Sequence, residues 1–130
     1  MPTLAEALVK KVEERILDLE GQDPVKARKD IRENWNSMLG MRASGLRLFE
    51  IASEDFQDIA QIIEDDHKDK LNPWVTVYTA AFGMDGVLNS IIWTWATTPP
   101  PPANQKFNEH VRNQIDTLVP GYASWIAREP

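Results

Sequence analysis

The sequence predicts an all-α fold, a compact bundle of about five to six helices forming a single domain over residues 1–130. Three observations carry that prediction. Apolar residues recur at i, i+4 spacing in successive stretches of the chain, the period of a helix with one buried face. Residues that start or stop helices punctuate those stretches. The composition, 42% hydrophobic with five tryptophans, supplies enough apolar surface to offset the entropy of ordering, and a chain of this length buries roughly two-thirds of its unfolded surface in one core. The competing architecture is α+β, with a β-hairpin at about 74–97.

The first helix follows from Thr3 and Glu6, which have capping-box spacing, and from Leu4, Leu8, Val12, Ile16 and Leu19 behind them. It is predicted to run to about Glu20, with Gly21 closing it in the left-handed conformation. Asp23 and Pro24 supply an N-cap and a first-turn proline for a second helix, which places Ile31, Trp35 and Met38 on one face and stops at Gly40. From Met41 to Ala52 the pattern fits neither period cleanly, because Gly45 interrupts it and Leu46, Leu48, Phe49 and Ile51 crowd together; it is assigned as helix.

Ser53 is the expected cap of the next helix, whose buried stripe is Phe56, Ile59, Ala60 and Ile63. Glu54, Asp55 and Asp58 suit the positive end of its dipole, whereas Glu64, Asp65 and Asp66 sit at the wrong end. Between Leu48 and His67 there are seven acidic residues and no lysine or arginine, enough to account for the whole net charge of −6. A strongly acidic solvent face is the expectation.

The stretch from Leu71 to Gln105 contains one charge, Asp85, in 35 residues. Trp74 to Tyr78 has strand-like composition and Asp85-Gly86 is a hairpin turn pair. Against a hairpin, Asn72-Pro73 starts a helix well, Gly83 stops one, Asp85 caps another, and Val87, Leu88, Ile91, Ile92 and Trp95 keep helical spacing. Two helices are therefore predicted here. Pro99 to Pro102 then force an extended connector. Phe107, Val111, Ile115 and Leu118 define a last amphipathic helix ended by Pro120-Gly121, with Tyr122, Trp125 and Ile126 packing a short turn back onto the bundle.

Composition also bounds function. With no cysteine, disulfides, thiolate metal sites and thiol catalysis are excluded, and a cytoplasmic setting is compatible. The N-terminus lacks the basic and apolar regions of a secretory signal, so the mature chain is expected to start here. Trp74 to Thr98 is the one candidate membrane span, but Gly83, Asp85, Gly86 and Asn89 interrupt it, and it reads as protein core. The negative charge disfavours nucleic acid and anionic membranes as partners.

Among chemical constellations, Glu64 and His67 lie at i, i+3 as in di-iron carboxylate bundles. The matching half is missing, since His110 has Phe107 three residues before it, and metal is not favoured. No Gly-x-Ser-x-Gly or phosphate loop occurs, and no cofactor is expected. Asp85 is a helix cap or turn residue, or else a carboxylate buried among apolar groups. Pro99 to Pro102 form a stiff spacer, or a polyproline helix offered to an aromatic groove.

A nearly uncharged stretch this long exceeds what the interior of a small domain requires, and three of the five tryptophans lie in it. The preferred reading is a non-enzymatic protein-interaction or assembly subunit. It would self-associate or dock a larger protein partner through Trp74, Tyr78, Asp85, Trp93, Trp95 and Trp125. The rival is a small helical ligand-binding protein or enzyme, with a pocket of Trp74, Tyr78, Trp93 and Trp95 and its polar group from Asp85 or Glu64 and His67. A third reading, an acidic inhibitor of a basic partner, rests on the face from Glu50 to Asp66.

Overall fold

The structure, a computed structural model, describes residues 2–43 and 54–128, the side chains of residues 36–43 and 54 apart. Five α-helices occupy these residues: α1 (Leu4–Gly21), α2 (Pro24–Ala43), α3 (Glu54–Asp66), α4 (Val77–Thr97) and α5 (Glu109–Ile126), with a short 3-10 turn at Lys68–Lys70 after α3. The all-α bundle is the architecture expected from the pattern, and the hairpin alternative is not formed.

The first helix matches its prediction residue for residue on the buried side: Leu4, Leu8, Val12, Ile16 and Leu19 are all in the core. Thr3 accepts the amide of Glu6 at 3.2 Å, satisfying one of the open donors of the first turn. Gly21 is the last helical residue and its backbone is not left-handed; the chain turns at Gln22 instead. Asp23 caps α2 through the amide of Lys26, as expected, but α2 passes through Gly40 to Ala43. The predicted face of α2 is half-buried at Ile31 and Trp35. Met38, the Ser53 cap and the assignment over 44–52 fall outside the described residues or side chains.

The greatest departure is in the uncharged stretch. It forms one helix of 21 residues where two were expected, uninterrupted at Gly83, Asp85 and Gly86. Asn72 and Pro73 do not start it: they make a turn closed by the Val75 amide on the Asn72 carbonyl at 2.9 Å. Thr76 and Thr79 then form a reciprocal capping box. Gly83 has a packing role. A Cβ there would collide with the hydroxyl of Tyr122, which donates to the Ala80 carbonyl at 2.6 Å. Burial of Ala80, Ala81, Met84, Leu88, Ile91, Ile92, Trp95 and Ala96 along its length carries α4 past the two glycines, whose intrinsic cost is about 1 kcal/mol each.

The last helix likewise runs through its expected stop. Pro120 lies inside α5, and its stripe is Val111, Ile115, Val119, Ala123 and Ile126. Leu118, expected in that stripe, is exposed, displaced by Val119. Phe107 is buried ahead of the helix, with the Arg112 guanidinium 4.9 Å from its ring centroid.

α4 is the hub of the bundle, packing against α2, α3 and α5, while α1 lies against α5. The two ends of the α4–α5 pair are closed differently. At one end the proline tract and residues 103–108 connect α4 to α5. At the other, Leu71 and Ala127 form an isolated antiparallel bridge, flanked by hydrogen bonds from Asn72 to the Ile126 carbonyl and from Arg128 to the Lys70 carbonyl, each 2.9 Å.

Candidate interaction site

That bridge positions a cleft. It holds the turn at Pro73 and Trp74 against the C-terminal end of α5, where the Asn72 side-chain amide also donates to the Trp125 carbonyl at 2.9 Å. Trp74 and Trp125 then flank a hollow of about 290 Å³ whose lining includes Val75, Thr79, Ala80, Tyr122 and Ile126. Trp74 is 69% exposed and Trp125 64% exposed. Among the described residues, no ionisable carboxylate, amine or guanidinium lines the cleft. The Tyr122 ring lies 6.4 Å from that of Trp125, centroid to centroid. Its phenol is pushed up to about 12 by burial, against a smaller opposite effect of the Met84 amide, so it stays a neutral donor.

The other residues singled out from sequence go elsewhere. Tyr78 is exposed and stands edge-on to Phe56 at 5.5 Å. Trp93 stacks obliquely on Trp35, with centroids 4.9 Å apart. Asp85 is buried in mid-helix, with Asn89 Nδ2 at 3.4 Å from its carboxylate; it caps no helix. Trp95 is 2% exposed. Its indole N–H donates to Glu20 at 2.7 Å, and the Arg28 guanidinium lies 4.5 Å from its ring centroid while also pairing with Glu20. Trp74, Tyr78, Trp93 and Trp95 therefore do not converge on one pocket, and Trp74 and Trp125 are the two that share a cleft.

Sequence reasoning missed the reason Trp95 is sealed. Arg28 donates to the Trp95 carbonyl at 3.3 Å and Arg32 to the Ala96 carbonyl at 2.7 Å. α4 has no basic residue in its last turn, so α2 supplies the cations that its C-terminal carbonyls and dipole favour. Tyr122 was assigned only to packing, and Phe82, exposed on the first half of α4, was not singled out.

The acidic helix is less free than its composition suggests. Asp55 is buried between Lys11 at 3.2 Å and Arg15 at 3.1 Å, and Asp58 holds Lys11 at 2.9 Å. Burial pulls the Lys11 ammonium down, but hydrogen bonds and charge from Asp58 and Asp55 together outweigh it and leave it raised. Glu64 pairs with Lys68 at 3.1 Å, whereas His67, the residue that precedes the 3-10 turn, is buried, so the two do not meet at one exposed site. Among the described residues, no three histidine, aspartate or glutamate side chains converge to hold a metal ion, and no helix is long and apolar enough to cross a membrane.

No protein-family model matches the chain, and no match is found among curated proteins or solved structures.

Proposed function

We propose that this chain is a non-enzymatic assembly subunit that self-associates through the uncharged cleft of Trp74 and Trp125. The observation that supports the reading is the placement of two indoles, both about two-thirds exposed, beside one apolar hollow. Exposed aromatic groups with no charge among them are the composition of an interface centre. Covering most of both rings would contribute on the order of 5 kcal/mol before the costs of association. The cleft is also pre-formed: the Leu71–Ala127 bridge and the Asn72 side chain hold its two walls in place, which lowers the entropy of docking.

The solution mass across micromolar concentrations tests this. Association that weakens in Trp74→Ala and in Trp125→Ala, with helical content unchanged, is the expected result. A chain that stays monomeric throughout, or one whose association ignores both substitutions, ends the reading.

A further inference from the structure

We propose that the occupant of the Trp74–Trp125 cleft is the proline ridge, Pro99 to Pro102, of a second copy of this chain, joined head to tail. The proposal rests on the self-association reading and names the surface that meets the cleft.

The conformation of the ridge follows from its sequence. Each of Pro99, Pro100 and Pro101 precedes another proline. The ring sets φ, and the next ring forces ψ into the extended range, so the tract is a polyproline helix of three residues per turn. Thr98 is already extended, at φ −107° and ψ 153°. Three-fold periodicity places Pro99 and Pro102 on one edge, Pro100 on a second and Pro101 on the third. Burial agrees: Pro99, Pro100 and Pro102 are exposed while Pro101 is half-buried. The ridge thus turns one edge to its own domain and two to solvent. Asn108 pins one end through the Pro99 carbonyl at 2.8 Å, and the Gln105 amide pins the other through the Pro102 carbonyl at 2.9 Å.

Ridge and cleft are complementary in hydrogen-bonding chemistry. Proline has no N–H, so the ridge offers rings and acceptors. Among the described residues, the carbonyls of Pro100 and Pro101 receive no hydrogen bond. An indole N–H is a donor only, and those of Trp74 and Trp125 reach no acceptor among the described residues. Two open acceptors on a stiff apolar ridge match two open donors flanking an aromatic hollow. Aromatic-lined grooves are the surfaces on which polyproline segments dock, since the segment has little conformational freedom left to lose.

One chain cannot make this contact with itself. The cleft lies at the start of α4 and the ridge follows its end, and 21 helical residues separate them by about 31 Å. The contact is therefore heterologous, and it repeats from copy to copy unless the rotation closes a ring.

Sedimentation of the full chain and two variants provides the test. P100S/P102S removes two exposed rings, and W125A removes one wall of the cleft. Each should weaken association at least roughly tenfold with unchanged helical circular dichroism. Mixed in equal amounts, they should form a dimer and nothing larger, because one intact ridge and one intact cleft remain. A free peptide of residues 96–105 should alter the tryptophan emission of the native chain, and should do so far less in W125A. If P100S/P102S associates with undiminished affinity while W125A does not, the ridge is not the occupant and the cleft reading survives. A native chain that never associates ends both.

Discussion

The two ends of α4 both carry tryptophan, and the fold treats them in opposite ways. At the C-terminal end Trp95 is closed on every side: Glu20 takes its indole proton, Arg28 covers its face, and Arg28 and Arg32 occupy the last carbonyls of the helix. At the N-terminal end Trp74 and Trp125 have apolar neighbours but no such polar partners. The difference does not lie in the residue type or in the local hydropathy of the stretch. It lies in whether another helix delivers matched polar groups: α1 and α2 bring Glu20 and Arg28 to the first site, and nothing equivalent reaches the second among the described residues. An indole whose N–H is met inside the chain is part of the core, and one whose N–H is left open at the surface is available to another molecule.

Substitutions at the two ends should therefore separate stability from association. Trp95→Ala is expected to have the largest effect, about 3–5 kcal/mol of folding stability in denaturant melts, because it empties a buried site and takes the indole donor from Glu20. Arg28→Ala should cost roughly 2–4 kcal/mol, since it leaves the partly buried Glu20 carboxylate without its cation and the Trp95 carbonyl without its donor, Arg32 alone remaining at the helix end. Equal stability of Arg28→Ala and the native chain would mean that the sealed end is held by apolar packing alone. Gly83→Ala presses on the wall of the open cleft and should cost about 1–3 kcal/mol through the clash with Tyr122. Adding Tyr122→Phe should recover part of that loss, and no recovery would place the strain elsewhere. Trp74→Ala should change stability by less than about 0.5 kcal/mol while weakening association.

Alkaline titration sharpens the comparison further. The folded chain holds the Tyr122 proton up to about pH 12, whereas the unfolded chain releases it near 10.0. Its stabilising contribution is complete below pH 10 and is lost as pH rises from there to about 12. Phenolate absorbance should show this late step in the native chain and its disappearance in Tyr122→Phe.

The helical class, α1 and the start of α2 were legible because each rests on short-range rules: a cap, a proline, a stripe at i, i+4. The stops inferred at Gly83 and at Pro120-Gly121 were not, and they fail for one reason. Tyr122, directly after Pro120-Gly121, lies over Gly83. Both supposed breaks are the crossing point of α4 and α5, where a small residue on one helix admits a ring from the other. A local pattern records the glycine and the proline but not the partner that explains them. The same holds for the site. Trp74 and Trp125 could be singled out by type, yet 51 positions separate them in the chain, and it is the Leu71–Ala127 bridge with the Asn72 hydrogen bonds beside it that brings them to one cleft. Trp95 could not be told from Trp74, because what distinguishes them is supplied by α1 and α2.

The bridge also sets an order of events. Its two sides come from residues 70–72 and 126–128, so the cleft has no second wall until the far end of α5 has been synthesised and has docked beside α4. If copies join head to tail as proposed, a chain whose α5 has not yet docked can offer its proline tract to another copy but cannot receive one in a cleft of its own.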